Sequence, residues 1–510
     1  MNFILTHKKQ SLIFILLIVS LAFLSFYQAF NFSFIIDDWF LLWGVLYDRS
    51  TIDPFFQTHP NVVYQFILSA PVFKFNPFYY QFLGFLLKII DSFFVALLIL
   101  SITKSKSAAY FSAIIFSSSV GGIETFTWAS GRSAALLIPL ICSGLFFWIN
   151  AKKETIHKYF ISIILIILTI LSDAGNGIVV IPMLILWELL DLQNFSKHKM
   201  KKFLFKICSL LAIPLILFWY LSPRIEGRSI YLIKNIFIIL ANFPQMLIKF
   251  LTSIGNLLVG WIIPIVELNH LTDPNIFNTI AGVLFFIWTI ILIFAFWKRK
   301  STIFRILLFL SIWIFLGLIP GWLTQSDYIE RQSYTAVSHR YLTLSSIGLI
   351  GLIAYSTSFI KRKYSFPILT AVIILNLWSS YRILSWESIY HSAVTQNYLY
   401  NQIDKDLPKG DEKNKILVFT GDHWVRIALD WNDFYPLALK RGITRKSEFS
   451  TVTNDLDRVK ELICAPDENT PPKFRLPNLY AWDVGSGDIY NVSKQLRSVI
   501  SSDKECRFTP

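Results

Sequence analysis

The sequence predicts an all-α polytopic membrane protein of about 11–13 transmembrane helices with a small C-terminal α/β domain, on three observations. Of its 510 residues 54% are hydrophobic and only 16% charged, against roughly 25% charged in ordinary soluble domains. That excludes a soluble globular enzyme. Runs of about eighteen apolar residues recur along the chain, each long enough at roughly 1.5 Å per residue to cross about 30 Å of hydrocarbon. From residue 384 the composition turns mixed, charged and rich in Gly and Pro, and continues long enough to fold around a core of its own.

Spans are expected at 11–30, 78–101, 107–123, 132–150, 158–172, 177–190, 203–221, 279–297, 303–321, 341–360 and 365–383. The stretch 230–266 crosses either not at all or twice, split near Phe243-Pro244 or around Lys249. The chain holds 47 basic and 33 acidic residues, a net charge of +14. Its Lys and Arg cluster in short loops: Lys104 and Lys106, Lys152, Lys153 and Lys158, Lys197 to Lys202, Lys298 to Lys300, and Lys361 to Lys363. Retention of positive loops in the cytoplasm accounts for that pattern, so no nucleic-acid partner is expected. The run 11–30 is long for a signal-peptide core and no small-residue cleavage site follows it, so it reads as a retained first span with a cytoplasmic N-terminus. The expected organisation is a transmembrane domain 1–383 with an external loop 31–77, and an extracytoplasmic domain 384–510. A bacterial inner or plasma membrane is the expected location. Within the last domain, Ile416 to Thr420 reads as a buried strand and Val492 to Ser501 as a helix.

Loops 31–77, 121–132, 173–176 and 322–340 then share the outer side, where any chemistry is expected to assemble. Asp37 and Asp38 open a segment whose Ile36, Trp39, Phe40, Trp43 and Tyr47 form one aromatic face, suited to the membrane interface. Two adjacent carboxylates there suit proton abstraction from a hydroxyl or a divalent cation, and equally a solvated helix cap. Gly121 to Arg132 places Glu124 and Arg132 near membrane depth, lining a polar cavity or forming an interfacial ion pair. Arg331, His339 and Arg340 precede a late span, where guanidinium groups suit a phosphate or simply reach the head groups. Lys88 and Asp91 lie three residues apart inside the second span, on one helical face, as functional charges or a mutual ion pair. Asp173 to Asn176 makes a short turn that faces the same side.

No phosphate-binding or dinucleotide-binding glycine motif is present, no His/Cys cluster has zinc spacing, and no metal ligands are expected as a set. Cys142 and Cys208 fall in spans, whereas Cys464 and Cys506 fall in the external domain, where an oxidising compartment permits a disulfide.

In order, these elements resemble the GT-C superfamily of membrane glycosyltransferases, particularly the branch of protein O-mannosyltransferases and tetratricopeptide-repeat transmembrane enzymes. The resemblance covers roughly 11–360. It rests on Asp37-Asp38-Trp39 after the first span, Asn76-Pro77-Phe78-Tyr79-Tyr80 leading into the second, Glu124, Trp128 and Gly131-Arg132 after the third, and Arg340-Tyr341-Leu342 opening a late span. It implies a sugar carried on a polyprenyl phosphate and transferred with inversion to a hydroxyl of a protein, lipid or glycan, in building or glycosylating the cell envelope. By this resemblance Asp37 or Asp38 is the base, with Asp37 favoured. Glu124, Arg132, Arg331, His339, Arg340 and Lys88 bind substrate, Arg340 stabilising the phosphate. No cofactor is required, although a divalent cation at Asp37 and Asp38 is compatible with the chemistry. This chain departs from the family at Lys88, where His is common, and at Asp173-Ala174, where a Lys-Glu pair is common; no tetratricopeptide repeats follow the last span.

Two other readings compete. A flippase or transporter of a lipid-linked saccharide would use Lys88, Asp91 and Glu124 as its path, but the related halves common in transporters are not evident. An inactive relative would act as a membrane scaffold through its external domain.

Overall fold

The chain is an integral membrane protein built from apolar helices, with a small sheet near its C-terminus. The computed structural model describes residues 8–34, 37–151, 156–191, 204, 206–212, 237–260, 276–299, 301–324, 339–391, 393–411, 415–420, 434–453, 478–483, 489–493 and 495. They fall into two compact units. The helical unit comprises 1–30, 55–62 and 81–386, and the α/β unit comprises 31–54, 63–80 and 387–510.

The helical unit holds α1 (Lys8–Phe26), most of α4 (Pro77–Thr103), α5 (Lys106–Ser118), α6 (Ser133–Ile149), α7 (Ile156–Ser172), α8 (Val180–Asp191), α9 (Phe243–Val259), α10 (Ile276–Arg299), α11 (Thr302–Thr324), α12 (Thr343–Ser358) and most of α13 (Arg362–His391). These fall where the apolar runs fall. Among the described residues five segments are long and apolar enough to cross a membrane: Gln10–Asn31, Pro77–Thr103, Ile276–Arg299, Thr302–Gly321 and Arg362–Ser385. Among lipid tails, helices associate through close packing and interhelical hydrogen bonds. On α9, Gly255 lies so close to the Asn278 carbonyl of α10 that a Cβ there would overlap it, and Thr252 bonds Thr279 at 2.8 Å. Likewise Trp313 of α11 donates to the Leu344 carbonyl of α12 at 2.8 Å. In the ambiguous stretch, α9 begins at Phe243-Pro244; 261–275 lie outside the described residues, as does most of the expected span 203–221.

The α/β unit gathers two pieces of the first loop with the C-terminal segment. From the loop come α2 (Asp37–Leu46), most of α3 (Pro60–Phe73) and the first residues of α4; from the C-terminal segment come, among the described residues, α14 (Ala393–Asp406), α15 (Tyr435–Arg441) and four strands. These are β1 (Lys415–Thr420), β2 (Thr451–Thr453), β3 (Asn478–Asp483) and β4 (Ile489–Asn491), in the order β2-β1-β3-β4. β1 runs parallel to both neighbours, Ile416 opposing Thr451 on one side and Leu479 on the other, and β4 is antiparallel to β3. The unbroken Ile416-Leu417-Val418-Phe419 is buried throughout, as a central parallel strand covered on both faces requires. The expected helix 492–501, Cys464 and Cys506 fall largely or wholly outside the described residues.

One expectation is corrected for the two tryptophans of the aromatic face. Trp39 and Trp43 are buried inside the α/β unit, 8% and 0% exposed, whereas Phe40 is half-buried and Tyr47, just past the helix, is exposed. Trp43 meets Tyr435 at 5.6 Å and Phe449 at 5.0 Å, and Trp39 meets Tyr400 at 5.8 Å. A protein surface satisfies an aromatic stripe as well as a bilayer does, and it also supplies a carbonyl for an indole N–H. Ile36 lies outside the described residues. The loop helix that does expose apolar side chains is α3, with Tyr64, Leu68 and Val72 on one stripe.

Candidate functional site

The two acids of the first loop open α2, whose N-terminal end favours negative charge. Asp38 is buried and Asp37 half-buried. Helical geometry explains the difference: Trp39 and Trp43, four residues apart, form the packed seam, and Asp37, two residues before Trp39, falls on the opposite side of the helix. The chain entering α2 is anchored by Phe34, whose ring stands edge-on to Trp39 at 4.9 Å and to Tyr80 at 5.0 Å. Tyr80, from the Asn76 to Tyr80 motif, is itself fully buried.

In the helical unit, Gln81, Gly84 and Lys88 follow one another along a single face of α4, and all three meet the loop 119–132. Gln81 donates to the Thr127 carbonyl at 2.8 Å, and Lys88 Nζ donates to the Ser119 carbonyl at 2.8 Å while lying 5.7 Å from the Phe126 ring centre. At Gly84 the Phe126 carbonyl comes so near that a Cβ would overlap it. Arg132, fully buried, donates from Nε to that same carbonyl at 3.1 Å and from Nη2 to Gln81 Oε1 at 3.5 Å. Both cations are therefore engaged with main-chain oxygens and shape this loop. Asp91, one turn beyond Lys88, is fully buried and neither of its oxygens has a hydrogen-bond partner among the described residues, so the two charges do not pair.

Glu124 is half-buried at the start of a single turn, Glu124–Thr127. Gly122 before it has φ +77°, and a Cβ there would strike Thr343. Thr125 bonds Thr343 at 2.6 Å, which joins this turn to the start of α12 directly after the turn His339–Leu342. Glu124 and the backbone carrying His339 and Arg340 thus reach the same end of the helical unit. Arg331 lies outside the described residues.

A third cluster contains residues that the sequence reading did not single out. Asp173, fully buried after α7, accepts from His59 Nδ1 at 2.9 Å, from the Asn176 main chain at 3.0 Å and from its side chain at 2.9 Å, and from Ser133 Oγ. Asn61 Nδ2 donates to the Ser133 carbonyl and hydroxyl, each at 3.1 Å. Burial pushes the Asp173 carboxyl up, but the bonds from His59, Ser133 and Asn176, with the charge of the imidazole, outweigh it and hold the group below its usual 3.8. A carboxylate only accepts, so Nδ1 carries the proton and the half-buried His59 ring keeps Nε2 for another partner. Among the described residues no group of three or more His, Cys, Asp and Glu side chains is arranged to hold a metal ion.

No family model matches the chain, and no curated protein matches it. Among solved structures it is similar to the archaeal oligosaccharyltransferase AglB from Archaeoglobus fulgidus in complex with an inhibitory peptide and a dolichol-phosphate, at 12% identity and a TM-score of 0.46, over 90% of this chain and 72% of that one. The apo form of the Archaeoglobus fulgidus oligosaccharyltransferase gives 11% identity and a TM-score of 0.49 over 90% and 66% of the two chains. Its complex with zinc and sulfate gives 13% and 0.43 over 81% and 61%. At such identities, and with TM-scores below 0.5, no residue role or activity is transferred from them to this chain.

Proposed function

We propose that this chain is an inverting glycosyltransferase that moves a sugar from a polyprenyl-phosphate-linked donor to a hydroxyl acceptor at the outer face of the membrane. The observation that carries the reading is the acid pair in the first turn of α2, with Asp37 the more open of the two. Asp37 takes the acceptor proton as its oxygen attacks the anomeric carbon, and the lipid phosphate leaves with the bonding electrons. Arg340, with His339 and Arg331, stabilises charge on that phosphate. Glu124 orients the sugar, while Arg132 and Lys88 contribute by fixing the loop that bears it. The leaving phosphate is already anionic, so the chemistry requires no metal; a divalent cation, if one acts, belongs at Asp37 and Asp38.

Transfer from a panel of polyprenyl-phosphate sugars, measured in purified membranes for wild type, Asp37→Asn and Asp38→Asn at equal expression, tests this. Loss of transfer with donor binding retained supports it, and equal phenotypes of wild type and both variants in the native cell overturn it. Asp91, buried in α4 with no partner among the described residues, favours a second reading, translocation of the lipid-linked saccharide. Under that reading Asp91→Asn stops movement of the donor across the membrane, and the two loop variants do not.

A further inference from the structure

α2 has ten residues. Isolated helices shorter than about 12–15 residues are marginal in water, so what holds α2 helical is what it packs against. Within the α/β unit α2 packs against the turn 49–52, which closes on Gly44, and on its tryptophan side against the C-terminal segment. Trp43, fully buried, donates its indole N–H to the Ile443 carbonyl at 2.8 Å, across 400 residues of sequence. Tyr435 and Phe449, 5.1 Å apart, flank the indole, and Phe40 adds an edge contact to Tyr435 at 5.5 Å. The indole bond fixes the roll of the helix about its axis, and the rings fix its tilt. Asp37 stands on the opposite side from this seam, so any roll about the axis swings its carboxylate. With the carboxylate about 6 Å from the axis, a roll of about 10° moves it by about 1 Å, a displacement worth up to about a hundredfold in rate.

We propose that the C-terminal segment is the seat of the proposed base, and that Trp43 is a positioning residue which sets where α2 presents Asp37 and Asp38. This rests on the reading of Asp37 as the base. It assigns residues 387–510 a part in the transfer step itself, through the box of Tyr435, Ile443 and Phe449, and it gives any ligand of that segment a route to the base.

The test uses the full chain in lipid nanodiscs, with Trp43→Phe, which keeps a ring and deletes the N–H, and Phe449→Leu, which removes one wall of the box. The expected result is a fall in kcat of about tenfold or more with KM for the donor unchanged. Combining Trp43→Phe with Asp37→Asn should give a rate no lower than Asp37→Asn alone, because a misplaced base and a missing one are the same loss. Amide exchange supplies a readout independent of transfer: both variants should raise exchange in 37–46 and leave α12 unchanged. If Asp37→Asn and Asp38→Asn leave transfer intact, the base assignment fails, and the exchange result alone decides whether the C-terminal segment holds α2. Wild-type kcat, or unchanged exchange across 37–46 in both variants, overturns the proposal.

Discussion

Arg132 and Ser133 are consecutive residues that serve different networks: Arg132 closes onto the Phe126 carbonyl and Gln81, whereas Ser133 bonds Asp173 and Asn61. The entry to α6 therefore ties three loops together at one end of the helical unit. Changes on one side of that entry are expected to act differently from changes on the other.

On the Asp173 side the expectation concerns pH. Its carboxyl titrates below the ordinary 3.8 in the folded chain, so the unfolded state binds the proton more readily. The stabilisation is fully present above the unfolded value of about 3.9 and is lost as pH falls through the lower folded value. Thermal unfolding between pH 3 and 7 should show wild type losing stability on acidification below about pH 4. Asp173→Asn should be less stable by about 2 kcal/mol near neutrality and should converge on wild type in acid. A constant gap across this range would place the stability elsewhere.

On the Arg132 side, Gly84→Ala would press a methyl group into the Phe126 carbonyl. Overpacking of this kind costs about 1–3 kcal/mol. It should also displace the loop carrying Glu124, so proteolysis or amide exchange should increase across 119–132. Unchanged exchange there would show that the loop yields without cost.

The two tryptophans of α2 make a matched pair. Trp43 has its N–H bonded to Ile443, whereas the Trp39 Nε1 is buried with no hydrogen-bond partner among the described residues. Both changes to Phe lose buried ring volume, but only Trp43→Phe also breaks a described hydrogen bond, so it should destabilise by about 1 kcal/mol more than Trp39→Phe. Denaturation monitored by a probe in the C-terminal segment would rank the two; the reverse order would contradict the bonding described.

On α3, Tyr64, Leu68 and Val72 recur every four residues and are 54%, 75% and 74% exposed. A charge-free apolar stripe beside a membrane span is expected to lie in the bilayer interface. A spin label at Leu68→Cys should be relaxed by lipid-soluble oxygen more strongly than by a water-soluble nickel complex, and dominance of the nickel effect would place the stripe in water.

The spans were legible because a run of apolar residues long enough to cross a bilayer needs no partner to be recognised. For example, Pro77–Thr103 falls where its composition places it. The aromatic stripe of α2 was legible as a stripe, but its environment was not, since Tyr435 and Phe449 lie some 400 residues away and share no pattern with it. His59, Asn61 and Ser133 were invisible for another reason. They are single polar residues on separate loops with no common spacing, and only the fold brings them to Asp173. The one local hint was a Ser at the start of a span and an Asp at the end of another, each needing a partner at membrane depth. Asp37, Asp38 and Glu124 were singled out from sequence, as acids beside spans are few.

The α/β unit is stitched from segments more than 300 residues apart in sequence, within 31–80 and 387–510, and this sets a timetable for biosynthesis. Trp43 leaves the ribosome 400 residues before Ile443, an interval of about 20–80 s at ordinary elongation rates. Throughout that time nearly every span is being inserted while the aromatic ridge of α2 waits without its C-terminal cover. A nascent chain stalled or cut before Tyr435 presents that ridge as bare hydrophobic surface, the kind of signal on which chaperones and quality-control proteases act.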